Sequence, residues 1–253
     1  MKRVAFVCEE ADVAVRRMPL HLRPLIAVGN SLAEFDLKQI QAICWKPSNS
    51  NNLHVVEGLI KGISSETGQA PKWIHSFFAG VDGLQPLANQ VDQKRTVVTN
   101  GRGAFSSSLA EFALLGMLHF NKQVARLEEN KKSTRWDKFE MDTIKGKTVG
   151  FLGWGSIAQH TAELLKPFGV QVICFRKSEP TSKLELAQRS DFVINTLPGT
   201  RDTFNLCNGE FFAHMKPQGV FINLGRGSTV DEDALVVALE TGKLAGACLD
   251  VLH

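Results

Sequence analysis

Six residues, Gly153-Trp154-Gly155-Ser156-Ile157-Ala158, constrain this chain more than any others. They form a G-x-G-x-x-A pattern between a β-type run at 148–153 and a helical run at 156–168 that Gly169 ends. Such a glycine pattern alone is common; its setting between a strand and a helix of a βαβ unit makes it specific. Gly153 permits a tight turn, Gly155 lets the backbone approach a pyrophosphate, and Ala158 lets helix and strand pack closely. Ser156 and Ile157 open the helix, where free N–H groups and the positive dipole end attract phosphate. The bland alternative is an ordinary β–α turn.

The pattern continues in sequence order. Further strands are expected at 170–175, 192–197, 219–224 and 245–250, with Asp231 capping a helix that stops at Gly242. In the first hundred residues the strand candidates are 3–8, 41–45, 73–77 and 96–99, with a polar turn cluster at 47–52. Alternation of this kind predicts α/β architecture with parallel sheets. The expected organisation is two flavodoxin/Rossmann-like, doubly wound domains, 1–103 and 104–253. Ser108-Leu109-Ala110-Glu111 reads as a capping box, in which hydroxyl and carboxylate satisfy each other's free amides. The helix it opens is expected to reach Glu129, its apolar first half buried as the bridge between domains. A charged segment, 128–147, follows and contains Trp136.

Composition narrows the classes. Apolar residues are 43% and charged residues 22%, which excludes a disordered or fibrous chain. Twenty-nine basic against 26 acidic residues leave a net charge of +3, too small to argue for nucleic acid or an anionic membrane surface. The most apolar stretch, 112–120, is nine residues long, whereas a spanning helix needs about 20. The N-terminal apolar run ends at Cys8, before Glu9 and Glu10, too early for a signal peptide. Cys8, Cys44, Cys174, Cys207 and Cys248 are scattered without a C-x-x-C pair, so they read as reduced core residues of a cytoplasmic protein with no metal site.

Cofactor choice turns on the second strand of the βαβ unit. An acid there would bind a free ribose 2′-hydroxyl and repel a 2′-phosphate. This strand ends Phe175-Arg176-Lys177-Ser178, with no acid before Glu179. Arg176 and Lys177 favour NADP(H), with NAD(H) possible; an exposed basic turn is the alternative.

Taken together the motifs resemble the D-isomer-specific 2-hydroxyacid dehydrogenase family, most of all its glyoxylate/hydroxypyruvate reductases. The resemblance covers about residues 40–252. It is carried by Phe78-Ala79-Gly80-Val81-Asp82, Leu109-Ala110-Glu111, the nucleotide loop through Leu165-Lys166-Pro167-Phe168-Gly169, and Ser190-Asp191-Phe192. Leu197-Pro198-Gly199-Thr200, Phe221-Ile222-Asn223-Leu224-Gly225-Arg226-Gly227 and Leu249-Asp250-Val251 complete it. The resemblance implies reduction of a small 2-oxo acid to a D-2-hydroxy acid by a homodimer. Ala79 and Gly80 would offer amides to the substrate carboxylate, and Arg226 would pair with it and polarise the C2 carbonyl. Leu197 and Leu224 would belong to the cofactor site, Pro198 would lie along the nicotinamide-side loop, with loop shaping as the bland alternative, and Asp250 would bind the nicotinamide carboxamide. Trp136 would reach the partner subunit.

The resemblance also implies a Glu shortly after the Leu-Asp-Val strand, a His one strand further on, and a C-terminal return that completes the first domain. The sequence stops at His253, three residues after Asp250, before either group. The expectation is a chain truncated ahead of its proton donor, one that binds cofactor and turns over slowly. His75 is the histidine nearest the expected pocket, with a core or rim role as the bland alternative. A second reading stays open: a catalytically inactive NAD(P)-binding module that senses redox state or binds a partner. The stretch from Arg176 to Asp191 is shorter than in the family, so a helix or strand extension is expected to be missing there.

Overall fold

The computed structural model describes residues 3–9, 16–46, 52–80, 87, 90–92, 94–176 and 181–253. The chain divides into two compact units, Met1–Ala104 and Phe105–His253.

The first unit holds strands β1 (Arg3–Val7), β2 (Ile26–Gly29), β3 (Ile40–Trp45), β4 (Trp73–Ser76) and β5 (Val97–Asn100), with helix α1 (Leu53–Thr67) between β3 and β4. All pairings are parallel, in the order β2-β1-β3-β4-β5. Apolar residues at 55, 56, 59, 60 and 63 give α1 one buried face. That face packs on Ala5, Val7, Ile43 and Ile74, the inward residues of three strands. The other sheet face carries a row of rings, Trp73, His75 and Phe77, with centroids 5.5 and 5.1 Å apart, and Phe6 edge-on to Phe77. Trp73 Nε1 donates to Thr99 Oγ1 at 2.8 Å, and His75 Nδ1 shares that hydroxyl at the same distance. His75 is thus a packing element of this face.

The second unit opens with α2 (Ser106–Asn121) and α3 (Val124–Lys132). Five strands follow: β6 (Thr148–Leu152), β7 (Gln171–Phe175), β8 (Phe192–Asn195), β9 (Gly219–Asn223) and β10 (Leu244–Leu249). Helices α4 (Ser156–Leu165), α5 (Lys183–Arg189), α6 (Gly209–His214) and α7 (Glu232–Glu240) are the crossovers. The sheet is parallel in the order β7-β6-β8-β9-β10. Both units therefore share one doubly wound strand order, with the reversal between the first and third strands. Alternate residues of the buried strands serve opposite faces. Phe151, Ile194 and Ile222 meet α2 and α4, while Val193 and Phe221 meet α5, α6 and α7. Helix α2 lies close on the sheet because Gly116 and Gly246 lack side chains. A Cβ on Gly246 would collide with the Phe120 ring, and one on Gly116 would stand 3.1 Å from Cys248 Sγ.

Three expectations are corrected. The helix opens at Ser106, two residues before the predicted box, and no side chain caps it; the Ser108–Glu111 box is not formed. It is not continuous to Glu129, nor apolar-buried all round, since Leu115 is exposed. Gln123 breaks it in the left-handed region, at φ +50°. Asn121, Lys122 and Gln123 turn their side chains to the carbonyls of Asp142 and Glu140 at 2.6–3.0 Å, so contacts to the 140–142 segment replace helix propagation. The short stretch after β7 contains the helix α5, capped by Ser182 Oγ accepting from the Glu185 amide.

All five cysteines are free thiols. Burial pushes the Cys44 thiol up to about 11 and raises that of Cys207 further still.

Candidate active site

In the second unit every sequence-predicted cofactor residue that is described lies just beyond the carboxyl end of a strand, the edge where doubly wound folds bind ligands. Gly153 follows β6 at φ +87°, a conformation that only glycine adopts cheaply. Its N–H donates to Phe175 O at 3.0 Å, tying the loop to β7. The Trp154 ring is edge-on to Phe151, 5.6 Å away. Gly155 is extended, and a Cβ built on it meets nothing within 4 Å. No side chain caps α4, so none competes for the first amides of the helix that begins Ser156-Ile157. Open space above a glycine at an uncapped helix start is what a pyrophosphate requires. Ala158, fully buried, packs against the sheet below. Arg176 stands exposed at the end of β7; Lys177 lies outside the described residues.

The loops after β8 and β9 press on each other. A Cβ on Gly225 would stand 2.5 Å from Leu197 O, and one on Gly199 only 3.3 Å from Arg226 Cγ. Leu197, Pro198, Leu224 and Arg226 are thereby gathered at one place. Arg226 is extended at φ −135°, half-buried, with Nη1 donating to Gly225 O at 2.9 Å. Gly227 has no room for a side chain because the Leu252 backbone lies against it. The His253 amide donates to Glu232 Oε1 at 2.7 Å, and its ring meets Phe204 edge-on at 6.2 Å. Asp250 is exposed after β10, its N–H donating to Asn223 O at 3.0 Å. Burial first, and the charge of Asp250 second, raise the Cys248 thiol's pKa.

In the first unit Ala79 and Gly80 follow β4. Asn100 Nδ2 donates to Ala79 O at 2.7 Å, and Gly101, whose Cβ would stand 2.5 Å from Phe77 O, donates its N–H to Phe78 O at 3.0 Å. In a planar trans peptide the N–H points opposite the carbonyl. With the Ala79 carbonyl held by Asn100, the Gly80 N–H is turned away from that contact. Sequence reasoning missed Asn100, as it missed Asn195 and Thr229 in the second unit. A signal was there: Asn closes an apolar strand run at 100, 195 and 223.

Among the described residues no cluster of three or more His, Cys, Asp or Glu could hold a metal ion, and no helix is long and apolar enough to cross a membrane.

The chain is similar to several known proteins. The family model described as D-isomer specific 2-hydroxyacid dehydrogenase, NAD binding domain, matches residues 114–253. Hydroxypyruvate reductase of Thermotoga maritima is 32% identical over 198 residues, 74% of this chain and 64% of that protein. Human glyoxylate reductase/hydroxypyruvate reductase is 32% identical over 208 residues, 76% of this chain and 63% of that protein. The chain thus spans just under two thirds of the length of each. The NADPH-dependent glyoxylate/hydroxypyruvate reductase of Sinorhizobium meliloti, solved with NADP and malonate, superposes with a TM-score of 0.73 at 26% identity, covering all of this chain and 80% of its own. The chain belongs to the D-isomer-specific 2-hydroxyacid dehydrogenase family.

Proposed function

We propose that this chain binds NADP(H) in preference to NAD(H) and works in the reduction of a small 2-oxo acid of the glyoxylate or hydroxypyruvate kind. The observation that carries the reading is the gathering of a pyrophosphate-ready loop and the Arg226 turn on one edge of the second sheet. In this reading Gly153, Gly155, Ser156 and Ile157 hold the pyrophosphate, and Arg176 with Lys177 pairs with the 2′-phosphate. Leu197 and Pro198 flank the nicotinamide, Leu224 supports them from the core, where it is 3% exposed, and Asp250 accepts from the carboxamide. The bound cofactor supplies the hydride. Ala79 and Gly80 give backbone amides to the substrate carboxylate, the Gly80 amide facing away from the Asn100 contact. Arg226 pairs with the same carboxylate and stabilises charge developing on the C2 oxygen; a planar guanidinium suits a two-point contact. The 1–104 unit is then the substrate-binding domain and the 105–253 unit the dinucleotide-binding domain.

Fluorescence titration of both cofactors tests the nucleotide assignment. NADPH should bind about tenfold or more tightly than NADH, the worth of one or two charge-assisted contacts. Arg176→Asp should reverse the order. Tighter NADH binding by the unaltered chain would reject the preference.

We also propose a homodimer. Leu115 on α2 and Trp136, 63% and 88% exposed, with the partly exposed Leu127 on α3, offer apolar surface. Sedimentation at micromolar concentration should give a dimer that Trp136→Ala weakens; a monomer would reject the assignment.

A further inference from the structure

Asn195 closes β8 and Asn223 closes β9, and the two are paired in register. Both are essentially inaccessible to solvent, at 0% and 1% exposure, as is Thr229 at 0%. Their hydrogen bonds leave little freedom of assignment. The Leu197 N–H donates to Asn195 Oδ1 at 3.1 Å, and the Gly225 N–H donates to Asn223 Oδ1 at 3.1 Å. A backbone amide can only donate, so both side-chain oxygens are fixed as acceptors. Asn195 Nδ2 must then donate, to Asn223 Oδ1 at 2.9 Å and to Thr229 Oγ1 at 2.7 Å. Thr229 Oγ1 passes its own hydrogen to Arg226 O at 2.6 Å, which also accepts from Asn223 Nδ2 at 3.4 Å.

We propose that Asn195, Asn223 and Thr229 are positioning residues that hold the Leu197–Pro198 loop and Arg226 as one unit, fixing the nicotinamide end of the site relative to the substrate-pairing guanidinium. The inference rests on the proposed cofactor site. The relay reaches the Leu197 amide, the Gly225 amide and the Arg226 carbonyl, three points on two loops. These bonds end on the loops after β8 and β9, and the Gly153–Ile157 loop meets that unit at the Leu197 side chain and the Thr196 hydroxyl. No water reaches these groups to replace a lost partner, so a break is felt in full at the loops.

That geometry makes the effect selective along the cofactor. The probes are NADPH and 2′-phospho-ADP-ribose, which keeps the adenosine and pyrophosphate and lacks the nicotinamide. Thr229→Val keeps the side-chain shape and removes the hydroxyl. Two hydrogen bonds go with it, from Asn195 Nδ2 and to Arg226 O, so the variant should weaken NADPH about five- to tenfold and 2′-phospho-ADP-ribose far less. Thr229→Ser should restore NADPH binding. Asn223→Asp is the second variant, should Thr229→Val fold poorly: it keeps the acceptor for Gly225 and places an oxygen against Arg226 O, and the same split is expected. Equal weakening of both probes, or no weakening of NADPH, overturns the relay. Unaltered chain that binds both probes equally also overturns it, since the nicotinamide end would then be idle. Unaltered chain that binds neither overturns the proposed cofactor site itself, and the relay with it.

Discussion

Gly155→Asp should leave the chain at least as stable as before and lower its affinity for NADPH by about 100-fold or more, the worth of two lost charge-assisted contacts. The two effects have opposite signs for one physical reason. Gly155 is the N-cap of α4, with φ −85° and ψ −169°, a region open to any residue. A Cβ there meets nothing within 4 Å, so the fold has no objection to a side chain. Asp is among the best N-cap residues, and its charge suits the helix start, so a gain of about 0.5 kcal/mol is expected. The same carboxylate would occupy the amides proposed for the pyrophosphate and repel it. Gly153 provides the contrast. At φ +87° a side chain is strained, and its Cβ would press on Leu197 and Thr196 at 3.2 Å. Gly153→Ala should therefore cost about 1–2 kcal/mol of stability before any ligand is considered. Thermal unfolding beside NADPH titration separates the cases. Unimpaired NADPH binding by Gly155→Asp would show that the nucleotide does not sit on this loop.

The second sheet was legible because each strand is short, apolar and bounded by glycine or a polar cap. The expected run 219–224 and the observed β9, Gly219–Asn223, differ by one residue. Asp231 caps α7 as read, accepting from the Ala234 amide at 3.0 Å. The first unit was harder to read. β2 is four residues long, too short for periodicity to show. α1 has a helical period but no visible start, because Asn52, its N-cap, spends its side-chain oxygen on Trp45 Nε1 at 2.7 Å. The start of α2 was misplaced for a different reason. Three consecutive serines, Ser106 to Ser108, offer equivalent starts, and burial of Ser106, Ala110 and Ala113 decides among them. Long-range bonds cannot be read from local pattern at all. Nothing around residue 123 announces that carbonyls at 140 and 142 will end the helix. The glycine loop and the Arg226 motif were legible since each compresses its geometry into adjacent residues, whereas the relay through Asn195, Asn223 and Thr229 spans three elements.

Arg226→Ala should lower kcat/KM for glyoxylate or hydroxypyruvate by about 10²–10³-fold, the usual loss when one group that stabilises developing charge is removed. The NADPH dissociation constant should hardly move, because the proposed phosphate contacts lie on the loops after β6 and β7. Folding should lose about 1 kcal/mol for each side-chain hydrogen bond removed, such as Nη1 to Gly225 O at 2.9 Å. Arg226→Lys should recover only part of the rate. A lysine ammonium keeps the charge but lacks the planar fork that can meet a carboxylate and the neighbouring C2 oxygen together. The comparison is a ratio between chains of equal length, so a slow rate in the unaltered chain scales both values alike. Steady-state NADPH oxidation with each substrate is the measurement. Wild-type kcat/KM in Arg226→Ala would remove this residue from the chemistry. A matching loss of NADPH affinity would instead assign Arg226 to the cofactor, and the carboxylate would then depend on the Ala79–Gly80 turn alone.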